Sequence, residues 1–198
     1  MASINAFKAA LIGGGARANQ YKVTINSPPR IAIGLDGHRT SFLVTATSLP
    51  AMTLTPIIVP FRGRSIYLAG DREFGTEWTT TFINDTDFMV RTAMERWSNG
   101  INDLVTARGV KSPADYEADL TVQHLDRDDK LLKTYKFFHA WPTNVTEIAL
   151  TSEAATAVET FDVTWRYQHF TTSGPAGRPA SISDSPADEG APTGEPES

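Results

Sequence analysis

Gly13, Gly15 and Ala18 stand at the G-x-G-x-x-A spacing of a dinucleotide loop, whose glycines let the backbone approach a pyrophosphate at a helix N-terminus. That chemistry needs a strand before the loop and a helix after it. Here a helical stretch over residues 4–12 precedes the glycines and an alternating segment from Tyr21 follows them, so the order is reversed. The glycines read instead as a hinge, because residues without Cβ let an arm leave a domain at many angles. Asp126, Asp128 and Asp129 gather carboxylates suited to calcium, but an EF-hand loop starting at Asp126 needs glutamate at position 137, which is phenylalanine. A solvated turn accounts for the cluster better. His38, His124, His139 and His169 are dispersed, with no H-E-x-x-H pair to hold zinc, and read as surface or interface residues. No G-x-S-x-G elbow presents a serine nucleophile. Asn84-Asp85-Thr86 and Asn144-Val145-Thr146 fit the glycosylation sequon but suit turns or caps in a chain expected to stay in the cytosol during its synthesis. The motifs thus offer no catalytic residue, no cofactor site and no metal site, and an enzyme is not expected.

The elements around these residues are mainly strands. Period-two alternation with β-branched and aromatic residues runs through residues 21–25, 77–83 and 160–167, the pattern of half-buried antiparallel strands. Further strands are expected at residues 41–47, 52–59, 64–68, 116–125, 132–138 and 147–151, separated by Pro and Gly punctuation. One helix interrupts the series: Phe88, Met89, Ala93, Met94, Trp97 and Ile101 fall at three- and four-residue spacings, with Asp85 or Thr86 as N-cap and Gly100 as the C-terminal stop. It is expected to lie across the sheet. The helical stretch over residues 4–12 is more apolar than one small face needs and is expected to seek a neighbour.

With 198 residues and 40% hydrophobic composition the chain can bury one substantial core, and without cysteine it must be stabilised by packing and association. Residues 4–12 are too short for a membrane span, carry Lys8 and lack a basic leader, so neither a signal peptide nor a membrane partner is expected. From residue 171 the composition turns to Gly, Pro, Ala, Ser and acids. Five acids (Asp184, Asp188, Glu189, Glu195, Glu197) against Arg178 give that segment −4 of the chain's −5, which leaves the rest near −1. Scattered basic residues at that balance argue against tight nucleic-acid binding. The expected organisation is an N-terminal arm (1–19), a β domain (20–170) and an acidic, flexible C-terminal tail (171–198).

Three sets of segments carry a family resemblance. Arg64-Ser65-Ile66-Tyr67-Leu68-Ala69-Gly70-Asp71-Arg72-Glu73-Phe74, running into Glu77-Trp78-Thr79-Thr80-Thr81-Phe82-Ile83-Asn84-Asp85, resembles the tail tube proteins of T4-like contractile phages, chiefly in its A-G-D-R-x-F core and tryptophan-led strand. Trp141-Pro142-Thr143-Asn144-Val145, then Glu147-Ile148-Ala149-Leu150, and the strand Glu159-Thr160-Phe161-Asp162-Val163-Thr164 form the second match. Ala16-Arg17-Ala18-Asn19 and Ala46-Thr47-Ser48-Leu49-Pro50-Ala51 form a weaker third. The collinear resemblance spans about residues 16–168. It implies an antiparallel β-sandwich or partial barrel with one flanking α-helix, whose inner strands close a ring-wide β-barrel on oligomerisation. It further implies hexameric rings stacked on a baseplate, with a sheath outside, a tail terminator at the end, and tape measure protein and genomic DNA in the lumen. The protein would be assembled in the host cytoplasm and reside in the virion tail.

A sheet with one apolar and one polar face suits such a role, since it can bury its core on one side and face a water-filled lumen on the other. Ring closure would also remove strand edges that otherwise template uncontrolled pairing. Thr53, Thr55, Thr79, Thr81, Asp162 and Thr164, on the polar faces of alternating strands, are the candidate lumen positions. Residues 52–59 and 61–68 are the candidate inner-barrel strand pair. Leu49 and Pro50, in the loop before it, and Arg64, Asp71 and Arg72 are candidate subunit or ring contacts; Asp71 and Arg72 could instead cap a turn within one subunit. Two other readings are open: the inner tube of a contractile injection or type VI secretion machine, which the A-G-D-R and W-P-T-N signatures disfavour, and a monomeric β-sandwich binding module with a ligand pocket.

Overall fold

A computed structural model describes residues 3–11, 15–74, 77–151 and 156–174. The tail expected over 171–198 lies outside the described residues from 175 onward, as does Gly13 of the glycine run.

Alternation places the strands. In β5 (Trp78–Ile83) and β8 (Thr160–Arg166), Trp78, Thr80, Phe82, Phe161, Val163 and Trp165 are buried, while Thr79, Thr81, Asp162 and Thr164 take the opposite face. With β1 (Tyr21–Ile25), β2 (Val44–Thr47), β6 (Ala118–Leu125), β7 (Leu131–Val145) and β9 (His169–Ser173) these make a seven-stranded antiparallel sheet. Its order is β1-β6-β7-β8-β5-β2, with β9 also on β7. β7 spans both halves of this sheet. Its first part pairs with β6 and β9; its last part, from Trp141, pairs with β8. The bend falls at His139, in the left-handed region (φ 56°), beside a bulge in the β6–β7 ladder. The result is two four-stranded layers, β1-β6-β7-β9 and β7-β8-β5-β2, sharing one core.

Helix α3 (Met89–Ile101) closes that core with Val90, Ala93, Met94 and Trp97 on one stripe. Trp97 stands edge-on to Trp165 with ring centroids 5.5 Å apart, and its indole N–H donates to the Tyr116 carbonyl at 2.7 Å. Trp165 donates to the Thr80 hydroxyl at 2.8 Å. Trp78 stacks on Phe137 at 4.6 Å. Each buried indole thus has a partner for its polar atom, including Trp78, which donates to the Ser48 carbonyl at 2.9 Å.

Several expectations change. Residues 37–43 are a short helix, α2 (Gly37–Leu43), not the start of a strand, because Asp36 accepts from the backbone N–H of His38 and Arg39 and nucleates a turn there. Only Val44–Thr47 remains extended. Residues 147–151 form no strand; β7 takes the strand role upstream, to Val145. Residues 113–116 are a helical turn, α4 (Pro113–Tyr116), so β6 begins at Ala118. At the start of α3 neither Asp85 nor Thr86 is the N-cap. Phe88 occupies that position with φ 52°, and the Asp87 carboxylate accepts the Met89 N–H at 3.1 Å. Gly100 is inside the helix, where a Cβ would lie 2.7 Å from Ile31; it is a packing glycine and not the stop. Asp126 to Asp129 form the β6–β7 turn, closed by the Asp126 N–H on the Lys130 carbonyl. The N-terminal helix, α1 (Ile4–Ala10), follows its Ser3 cap and leaves Ile4 and Phe7 exposed.

Candidate functional site

Residues 53–73 leave the main body as a ribbon. β3 (Thr53–Phe61) and β4 (Arg64–Glu73) pair with each other and, among the described residues, with no other strand. Their register continues that of β2 and β5: Val44 faces Phe82 and Thr53 faces Glu73, so nine positions on one strand are matched by nine on the other. The ribbon is therefore one long hairpin that detaches from the sheet after Thr47. The turn is Arg62-Gly63, both with positive φ (45° and 79°), the two-residue type that matches strand twist.

The ribbon exposes an unusual amount of apolar surface for a water-facing element. Leu54, Ile57, Ile58, Val59, Phe61, Ile66, Tyr67 and Leu68 are all between 39% and 67% exposed, on both faces. A two-stranded hairpin is marginal alone in water, and a contiguous apolar patch of this kind marks an interaction surface. Gly70 explains the glycine of the A-G-D-R run. β4 bulges at Gly70 and Asp71 opposite Thr55, between the Leu54–Arg72 and Pro56–Ala69 pairs, and a Cβ at position 70 would lie 2.2 Å from the Thr55 carbonyl oxygen.

The structure divides the candidate lumen positions into two sets. Thr79, Thr81, Asp162 and Thr164 come together: Thr79 pairs with Thr164 and Thr81 with Asp162, and the Thr81 hydroxyl donates to Asp162 Oδ1 at 2.6 Å. They share the face of the β7-β8-β5-β2 layer opposite the core. The Thr143 hydroxyl, on β7, donates to the Thr164 carbonyl at 3.1 Å. Thr53 and Thr55 lie apart on the ribbon, where the Thr55 hydroxyl donates to Glu73. Arg64, Asp71 and Arg72 also lie on the ribbon, exposed; Leu49 and Pro50 lie in the link from β2 to β3.

Two features lay beyond sequence reading. The first is the pair of open edges of the layer. Among the described residues β2 has β5 on one side and no strand on the other, and beyond Ala140 the side of β7 away from β8 carries no strand. The second is a surface latch in which Arg39, on α2, pairs with both Asp85 and Asp87 before α3. The Arg39 hydrogen bond, followed by the Thr86 N–H, holds the Asp85 carboxyl below the ordinary carboxylate range. The histidines come closer than their spacing suggests at one place: His139 lies 6.1 Å from His169, ring to ring, with its Nδ1 3.1 Å from Glu117 Oε2. Among the described residues no group of three or more His, Asp or Glu is placed to hold a metal ion, and no helix is long and apolar enough to cross a membrane.

Residues 16–173 match the family model described as phage tail tube protein. The tail tube protein of Serratia phage KSP90 is 31% identical over 169 residues, which cover 84% of this chain and 95% of that protein. Tail tube protein gp19 of Enterobacteria phage T4 is 33% identical over 156 residues, 77% of this chain and 88% of that one. Among solved structures, the sheath-tube complex of an extracellular contractile injection system matches with TM-score 0.57 and 13% identity, over 88% of this chain and 99% of that one. The tube-terminating cap of the anti-feeding prophage matches at 0.56 and 14% identity, over 80% and 91%. At these identities the structural likenesses are likenesses of fold.

Proposed function

This chain belongs to the phage tail tube protein family, and on that premise we propose that six copies close into a ring and that rings stack into the inner tube of a contractile tail. It is a structural component of the phage tail. The observation that carries the ring is the pair of open edges on the β7-β8-β5-β2 layer. Three successive antiparallel pairings make β7 run opposite to β2, so the β2 edge of one copy can continue antiparallel onto the last part of β7 in the next. Repeating that contact around a ring joins the layers into one barrel and leaves no edge. The Thr79, Thr81, Asp162 and Thr164 face then lines the lumen, because the opposite face is committed to the core. Leu49, Pro50 and the ribbon carrying Arg64, Asp71 and Arg72 supply contacts between copies.

The partners of this reading are a second copy within and between rings, a sheath outside, a baseplate and a tail terminator at the ends, and tape measure protein and DNA inside. The structural neighbours are sheath-tube, cap and baseplate assemblies, which supports the first four. No catalytic role is proposed. The delivery-machine alternative shares the fold, but the relatives above 30% identity are phage proteins whereas the injection-system tubes match at 13–14%. The test is the state of the purified protein in sedimentation velocity and negative-stain microscopy. Rings about one subunit thick and tubes at high concentration are expected; a monomer at every concentration refutes the reading.

A further inference from the structure

We infer that the ribbon is a one-sided strand acceptor: the outer edge of β4 takes an extended segment of a second copy of this chain, while Pro56 and Pro60 close the outer edge of β3 to any ladder. The inference rests on the assembly reading above and adds which edge does the pairing.

A two-residue turn closes a hairpin on a hydrogen-bonded pair, here Phe61 and Arg64. Antiparallel pairs then alternate. Val59–Ile66 and Ile57–Leu68 exchange hydrogen bonds across the ribbon, whereas Pro60–Ser65, Ile58–Tyr67 and Pro56–Ala69 direct their backbone groups outward. Both prolines thus fall where a missing N–H costs the ribbon nothing. They also fall where an incoming strand would need a donor, leaving Ile58 as the one outward N–H between positions 56 and 60. On β4 the matching outward positions are Ser65, Tyr67 and Ala69, each with an N–H and a carbonyl.

The occupant is a second copy for two reasons. The ribbon is continuous in register with the β2–β5 pair, whose layer is the ring-forming one, so whatever lies along the ring or in the next ring reaches it. A tube also grows by heterologous contacts, in which the two partners use different surfaces. The prolines remove closed pairing of β3 to β3, and β4 propagates because it takes a different segment of the next copy and not the next copy's β4.

The experiment compares proline with alanine at one outward position on each strand, in the full-length protein. Tyr67→Pro and Tyr67→Ala both lose the side chain, but only the first loses the N–H; Ile58→Pro and Ile58→Ala make the same contrast on β3. Near-ultraviolet circular dichroism checks that the core is intact, and sedimentation reads the concentration for assembly. Tyr67→Pro should need about tenfold more protein than Tyr67→Ala, the effect of one lost backbone hydrogen bond per contact, and Ile58→Pro should match Ile58→Ala. Equal proline penalties at the two positions, or a larger one at Ile58, overturn the proposal. Amide exchange of the parent gives a reading independent of folding in the variants: the Ser65, Tyr67 and Ala69 amides should become protected on assembly and the Ile58 amide should not, and β4 amides that still exchange in tubes overturn it. A parent that never assembles removes the assembly reading and this proposal together, whereas an assembling parent with the wrong edge protected removes this proposal alone.

Discussion

Gly70 and Thr55 face each other so closely across the β3–β4 bulge that a Cβ on residue 70 would lie 2.2 Å from the Thr55 carbonyl oxygen, with Ile57 Cγ1 at 3.0 Å. The near atom is backbone, so no side-chain rotation relieves the contact. Gly70→Ala must therefore open the bulge, at a cost on the order of 1–3 kcal/mol confined to the ribbon. Because, among the described residues, the ribbon pairs with no other strand and none of its side chains joins the core cluster, the thermal midpoint of the monomer should hold while assembly is lost. Differential scanning calorimetry beside sedimentation checks both halves, and a variant that assembles like the parent contradicts the role given to the bulge.

Thr80 is buried on the core face of β5, and its hydroxyl accepts the indole N–H of Trp165 at 2.8 Å. Thr80→Val keeps the shape and adds apolar surface, yet it leaves that wholly buried N–H without its acceptor. The expected loss is about 1–3 kcal/mol, the cost of a buried donor left unpaired. Urea unfolding of the monomer measures it, and a neutral or stabilising result would show that the indole finds another acceptor.

The core was legible because its alternation has one solution. Trp78-Thr79-Thr80-Thr81-Phe82-Ile83 and Thr160-Phe161-Asp162-Val163-Thr164-Trp165 cannot bury both faces, and a one-residue slip would expose the tryptophans. The same pattern misleads over residues 37–43, where Thr40, Ser41, Phe42 and Leu43 suit a strand in composition but Asp36 starts a helix through two local hydrogen bonds. Gly100 looks like a helix stop because nothing local announces Ile31 on the other side of it. Most instructive is the ribbon. Residues 52–59 and 61–68 read as an inner-barrel strand pair, but Pro56 and Pro60, each two residues from Ile58, already mark an edge in the sequence. The detachment itself is invisible, since it depends on where the sheet ends.

The latch at Arg39 gives a pH prediction. The Arg39 hydrogen bond and the Thr86 N–H stabilise the ionised form of Asp85, so its folded-state pKa lies below the unfolded one. The contribution is therefore complete above the unfolded value, about 3.9, and lost as pH falls through the depressed folded value. Arg39→Met should raise the Asp85 carboxyl toward the ordinary range, seen by carboxyl-carbon NMR titration. It should also lower the urea midpoint near neutral pH but not in strong acid, where parent and variant carry the same protonated carboxyl. A gap between them that is as wide in strong acid as at neutral pH would assign the effect to Arg39 packing instead.

The last prediction concerns the lumen face and follows from the proposed ring. Thr79, Thr81, Asp162 and Thr164 present hydroxyls and one carboxylate whose Oδ1 already accepts from Thr81 at 2.6 Å, and the part of the chain before residue 171 is near charge balance. A passage for DNA must not hold it. Arg166, the next outward position on β8, is engaged in an interaction of its own. Any added lysine or arginine facing the channel neutralises a phosphate and releases counterions, and a ring repeats that contact in every copy and every layer, so small attractions multiply into a stalled genome. Thr79→Arg should consequently leave tubes intact while slowing ejection, with the slowing relieved by salt. Thr55→Arg tests whether the ribbon shares the channel: the same salt-dependent slowing places it at the lumen, and an unchanged rate places it elsewhere. Arginine at Phe82 or Val163, both wholly buried on the opposite face, should abolish folding because it places an unpaired charge among apolar core side chains. Virions assembled with Thr79→Arg that eject at the parent rate in low salt would show that this face does not line the path of the genome.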